Sequence, residues 1–404
     1  MTTVTEEPPR GTFRPSMLLN DTRYRSYTFQ FLAIVGVAAF LAWLASNAAT
    51  NLAAQGLDVS FRFLGQSAGY DINQRPIPYD NQDSHLRAAF VGVINTLIVA
   101  ALGCVTATIL GVIAGVLRLS PNWLVSKLMA VYVEAFRNVP VLIWILIIFS
   151  ITISTFPAPA AFRGDDPAAS TVLGIAFTNR GVYVPVPVME PMGWVVLGIA
   201  LASIAGAFAW RRHARRALYD EGRELPVLWP ALAILALPPL LAYLLLGRPI
   251  GLEYPELQGF NFRGGITVLG SLIALWLALA IYTGAFIAEN VRAGIQAVSR
   301  GQTEAAASLG LRPGRIMSLV VLPQAMRIII PPLISQYLNL TKNSSLAIAV
   351  GYMDVTATLG GITLNQTGRA IEAILLLMLF YLAISLSISA VMNAYNNAVR
   401  LKER

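Results

Sequence analysis

The sequence predicts an all-α integral membrane protein of about eight transmembrane helices. Three observations predict it. Hydrophobic residues make up 56% of the 404-residue chain and charged residues only 12%, about half the charged share of a soluble domain. The apolar residues gather in charge-free runs at 27–46, 88–117, 138–162, 191–210, 225–247, 264–288, 328–341 and 373–399, and about 20 such residues cross a bilayer core as a helix. No run alternates with the period of two that marks a membrane barrel. In hydrocarbon every backbone N–H and C=O needs an internal partner, so each run is expected to be helical.

Taken in order, residues 1–26 are polar and carry Pro8, Pro9 and Pro15, the composition of a tail. The first run has too long a polar lead for a secretory signal and is expected to be a retained anchor. A Gly-, Asn-, Asp- and Pro-containing loop completes the segment 27–87. The second and third spans follow within 88–155. The segment 156–262 opens with a proline-rich loop and carries two more spans joined by the charged hairpin RRHARRALYDEGREL. The sixth, seventh and eighth spans occupy 263–398, and 399–404 is a short basic tail. The seventh run is short. Lys342 interrupts it before the apolar stretch resumes to Met353. Trp194 and Trp210, at span ends, are expected to be interfacial anchors.

A net charge of +8 invites a nucleic-acid reading, but the positions of the bases exclude it. With the N-terminus in the cytoplasm, the inside segments hold nineteen Lys and Arg and the outside segments eight, while Arg137 and Lys342 lie within spans. This is the positive-inside distribution, and an even number of spans puts both termini in the cytoplasm. Cys104, inside the second span, is expected to be a small core residue. His85 and His213 fall in different loops on opposite sides and make no metal site.

The loop 289–327 differs from the others in being long, rich in helix formers and charged with both signs. Residues Gln302 to Leu309 favour helix. Gly310 is placed to end it in the left-handed cap conformation. Arg312-Pro313-Gly314 turns the chain, and Pro313 can open a second helix. That helix is expected to break or kink at Pro323. Ala305, Ala306 and Ala307 would make one surface small, and Glu304 would sit near the helix start, where a carboxylate is favoured.

The order Glu304-Ala305-Ala306, three residues, Gly310, nine residues, Val320-x-Leu322-Pro323 resembles the signature loop of permease subunits of binding-protein-dependent ABC importers. Ala288-Glu289-x-x-Arg292-x-Gly294-Ile295, Gly301-Gln302, Phe136-Arg137-Asn138-Val139-Pro140, Asn95-Thr96-Leu97 and Lys342-Asn343-Ser344-Ser345-Leu346 resemble its polar-amino-acid branch. The resemblance covers roughly 86–155 and 263–398. It implies the membrane domain of a type I importer with extra spans, similar to the long permeases of the general L-amino-acid and the glutamate/glutamine/aspartate/asparagine importers. It further implies that Gln302, Glu304, Ala305, Ala306, Gly310, Arg312 and Pro323 couple the chain to a dimeric ATPase subunit. It places the chain in the cell inner membrane, and the implied partners also include a second homologous permease and a periplasmic amino-acid-binding protein.

Lys342 lies about fifteen residues beyond Arg327, deep by helical rise. A charge at that depth usually faces a cavity or partner. Asn339, Lys342, Asn343, Ser344 and Ser345 are therefore candidates for a translocation path, with helix-packing contacts as the alternative. There is no Gly-x-x-x-x-Gly-Lys-Ser/Thr phosphate loop and no catalytic or metal-ligand cluster, so the chain is expected to be no enzyme and to bind no cofactor. ATP and Mg²⁺ would be used by the partner ATPase. An ion-coupled secondary carrier is the competing reading; it calls for acidic residues within the spans, and the spans hold almost none.

Overall fold

The computed structural model describes residues 22–54, 59–164 and 168–399. The tails at 1–21 and 400–404 lie outside it. Among the described residues, eight helices are long and apolar enough to cross a membrane. The chain divides into two units, 1–63 and 64–404. The first unit contains α1 (Thr22–Ala54), whose residues from Tyr24 on are exposed almost throughout. An apolar surface of this kind on all sides is that of a membrane span.

In the second unit, α2 (His85–Leu117) is followed by α3 (Trp123–Asn138) and α4 (Val141–Thr155). Ser84 caps α2 by accepting from the Arg87 N–H at 3.3 Å, and Asn122 caps α3 by accepting from the Leu124 and Val125 N–H groups. Next come α5 (Gly193–Glu221), α6 (Leu228–Leu245) and α7 (Gly270–Gln296). The remainder is α8 (Arg300–Ser308), the short α9 (Pro313–Ile316), α10 (Leu322–Asn343), a 3₁₀ segment Ser344–Val350, a π-helical segment Thr356–Thr363, α11 (Leu364–Thr367) and α12 (Ala370–Val399).

The core is built around α7, where Leu275, Leu279, Ile287 and Val291 meet Val99, Ile145, Ala325 and Leu340 from α2, α4 and α10. A stripe of small residues makes the α2–α7 contact close. Ala107, Gly111 and Gly115 recur every four residues, which keeps them on one helix face, and one turn earlier Gly103 admits Leu340 of α10. A Cβ at Gly111 would lie 2.5 Å from the Ile287 Cβ, and one at Gly115 would lie 2.7 Å from the Ala288 carbonyl oxygen. Small-residue stripes of this sort bring backbones together where lipid supplies no hydrophobic drive between helices.

The loops between spans are not wholly irregular. Among the described residues, seven short strands form three small antiparallel sheets at the end of the bundle where α2 begins. Strands β1 (Ala176–Thr178), β2 (Gly181–Val184) and β7 (Ile266–Leu269) form one, β3 (Val186–Met189) and β4 (Ile250–Glu253) the second, and β5 (Glu256–Gln258) and β6 (Asn261–Arg263) the third. The β3–β4 ladder ties together the two ends of the α5–α6 hairpin. The expectation of an all-helical chain holds for the spans and misses these strands, because runs of three or four residues carry too little pattern to be read alone.

Two further expectations are corrected. His85 is not a loop residue; it opens α2, is buried, and its Nδ1 lies 3.0 Å from the Thr363 Oγ1. Lys342 does not break the seventh span, since helical structure runs continuously over Pro313–Val350.

Candidate functional site

The helix–turn–helix of 300–323 forms as its residues dictate. α8 ends at Ser308, and Gly310 adopts φ +75°, with its N–H donating to the Ala307 carbonyl at 2.9 Å. Arg312 is extended, and Pro313 opens α9 at the first helical position. Within α8, Gln302, Glu304, Ala305 and Ala307 are exposed, while Ala306 is buried against Ile316 and Val321. Successive helical residues point 100° apart, so three consecutive alanines cannot share one surface; Ala306 is the packing residue and its neighbours face outward. Glu304 is also not at the helix start. α8 begins at Arg300, which places Glu304 in the second turn, beyond the reach of the terminal dipole.

Pro323 does not end the helix. A π-helical turn, Met317–Val321, precedes α10, and the Leu322 N–H donates to the Met317 carbonyl. The wide turn absorbs the missing proline donor and lets the chain run on. The same end of the bundle carries an ion cluster. Arg118, just beyond α2, pairs with Glu289 on α7, and Arg292 holds the other Glu289 oxygen at 2.5 Å. Arg292 also donates to Gln296 at 2.6 Å. This cluster anchors the base of α7, from which α8 departs.

The five candidate path residues of the seventh span divide. Asn339 and Lys342 are exposed and share one face of α10 with exposed Ser335, following the helical spacing of four and three. Ser344 is fully buried, and its hydroxyl donates to the Thr341 carbonyl at 2.7 Å. Asn343 and Ser345 are half-buried, and the Ser345 hydroxyl donates to the Lys342 carbonyl at 2.8 Å. The structure thus gathers Ser335, Asn339 and Lys342 into one polar stripe and turns Ser344 inward.

A buried polar knot joins α2 to the connector after the seventh span. The Asn95 amide donates to the carbonyls of Gln74 and Met353, each at 2.9 Å, and Thr96 accepts from the Val355 N–H at 3.1 Å. Tyr352 donates to the Asn95 carbonyl at 3.2 Å. Asp354 is fully buried; its Oδ1 accepts from the Ala357 N–H, and its Oδ2 has no hydrogen-bond partner. Only Asn95-Thr96 in an otherwise apolar run signalled this knot in the sequence. Among the described residues no group of three or more His, Cys, Asp or Glu is placed to hold a metal ion.

Comparison with known proteins bears on this geometry. The family model for the binding-protein-dependent transport system inner membrane component matches residues 195–401. The chain is 52% identical to the glutamate/glutamine/aspartate/asparagine transport system permease protein BztB of Rhodobacter capsulatus, over 98% of this chain and 99% of that one. It is 43% identical to the putative amino-acid ABC transporter permease protein YhdX of Escherichia coli, with 98% and 99% covered. With the general L-amino acid transport system permease protein AapQ of Rhizobium johnstonii the identity is 42%, over 98% of each chain. Spans, motif loop and full-length likeness agree: the chain belongs to the family of binding-protein-dependent transport system inner membrane components.

Proposed function

We propose that this chain is the long permease of an importer for polar L-amino acids, acidic ones and their amides included, driven by a separate ATPase dimer that uses ATP and Mg²⁺. The observation that carries the reading is α8, a nine-residue helix that turns Gln302, Glu304, Ala305 and Ala307 outward and is braced from behind by Ala306 on Ile316 and Val321. A rigid, exposed helix fixed to the base of α7 transmits a push from an ATPase into the bundle. Gln302, Glu304, Ala305, Ala306, Gly310, Arg312 and Pro323 are its coupling residues: those facing outward make the contact, and the others hold the shape.

The exposed Ser335–Asn339–Lys342 stripe supports a second, homologous permease. An ammonium in hydrocarbon is costly, so the stripe needs a facing wall, and a zwitterion needs a polar route between the two walls. Lys342 suits a substrate carboxylate; Asn339, Asn343 and Ser345 supply amide and hydroxyl groups, and buried Ser344 holds the turn behind them. A periplasmic binding protein delivers substrate at the strand-bearing end, and both termini lie with α8 in the cytoplasm. Residues 88–155 and 263–398 form the permease core, and 156–262 is an insertion whose ends the β3–β4 ladder ties.

The test is uptake by the complete complex in proteoliposomes. Glutamate and glutamine should accumulate only with internal ATP and external binding protein, and several L-amino acids should compete. Transport of sugars or metal ions with no amino-acid uptake would refute the substrate class. Uptake that survives without the ATPase, driven by an ion gradient, would refute the coupling.

A further inference from the structure

We propose that the α5–α6 hairpin carries a binding site for an anionic phospholipid in the leaflet at the α8-bearing end. α5 spans 29 residues, about 44 Å of helix against a hydrocarbon core of about 30 Å. Its excess length is the arginine-rich stretch beginning at Arg211. The α5 and α6 helices pack closely on each other, with Gly206 set against Ile234, and no α6 residue is buried. The hairpin therefore presents its flanks to lipid.

Between the two helices runs a groove of about 580 Å³, lined by Ala207, Phe208, Ala231, Leu232 and Leu235, with Arg211 and Val227 at its hinge end. Alanines on both helices leave the space, and exposed Phe208 and Leu235 form its sides. The groove has the shape and apolarity for an acyl chain, and its single charged lining group is a guanidinium at the depth of a headgroup. Arg215 follows Arg211 by one helical turn on the same face and is exposed. Arg212 and Arg216 flank the pair. No carboxylate lines the groove; Asp220, Glu221 and Glu224 come only beyond Arg216, around Arg223. Guanidinium groups hold phosphate oxygens in bidentate pairs, and basic pockets between spans take anionic headgroups. A soluble anion would leave the apolar groove unfilled, and a zwitterionic lipid would leave the arginine cluster uncompensated. Trp210 steadies the mouth, its indole N–H donating to the Pro226 carbonyl at 3.2 Å across the hinge.

The test is native mass spectrometry of the full chain in its complex, in neutral detergent, titrated with dioleoyl phosphatidylglycerol or dioleoyl phosphatidylcholine. Phosphatidylglycerol should be retained in preference. R211Q and R215Q, both at exposed positions, should each weaken its retention about fivefold. A231W, which fills the groove and spares every arginine, should also weaken it, while thermal stability reports the fold. Equal retention of both lipids overturns the proposal. So does retention unchanged in the R211Q/R215Q double variant, or full retention in a folded A231W protein. Displacement of the lipid by millimolar inorganic phosphate would show that charge alone binds, and would also overturn it.

Discussion

Gly310 offers the sharpest test of the coupling role proposed for α8, because conformation alone sets the outcome there. Its φ is +75°, and a Cβ added to it would meet nothing within 4 Å. A substitution therefore creates no clash; it only forces an L-residue into the left-handed region, at about 1–2 kcal/mol. That energy corresponds to a roughly 5- to 30-fold shift away from the capped form of α8. Asn enters the left-handed region most readily and a β-branched residue least. ATP-driven uptake by the reconstituted complex should therefore fall in the order glycine, G310N, G310A, G310V. The binding-protein-stimulated ATPase rate should fall with it, while the amount of inserted chain stays constant. Wild-type uptake in G310V would refute the reasoning, as would G310N being as impaired as G310V.

Other predictions address the rest of the chain. G111L should lower the yield and thermal stability of the inserted protein severely, since the new Cβ alone would meet Ile287 at 2.5 Å and overpacking costs about 1–3 kcal/mol even where neighbours can yield; normal stability would refute the close α2–α7 contact. K342A should slow uptake or change selectivity more than I348A, at an exposed apolar site nearby. Leu340 is no control for it, being fully buried in the core. Normal transport in K342A with impaired assembly would favour packing. Burial raises the Asp354 carboxyl to a pKa of about 7. A carboxyl so raised stabilises the fold fully below its ordinary range and progressively less as pH rises through 7, so melting temperature should fall between pH 5 and 8, and D354N should abolish that slope; an unchanged slope in D354N would refute the assignment. In a chain with Cys104 replaced by alanine, a cysteine at Arg215 should resist impermeant thiol reagents in intact cells, while one at exposed Asp80 should react. Asp166, a natural choice for the same experiment, lies outside the described residues. The reverse labelling pattern would overturn the orientation.

The sequence by itself determined the eight spans, the motif loop and its turn. These depend on composition over a window and on single residues with strong backbone preferences, as with Gly310 and Pro313. Run length against bilayer thickness is a one-dimensional comparison, and it needs no knowledge of neighbours. Only the tertiary structure decided which side of each helix meets what. It turned Ala306 toward Ile316 and Val321 while leaving Ala305 outside, and it separated Lys342 from Ser344. It also set Gly111 and Gly115 against α7 and Gly103 against Leu340 of α10. In an all-apolar span, hydrophobicity does not distinguish the lipid-facing side from the core-facing side, so periodicity is silent and long-range packing chooses. The same holds for Asp354, which lies in no recognisable motif. Its burial depends on Asn95 and Thr96, more than 250 residues away in the chain, and only the folded bundle brings them together.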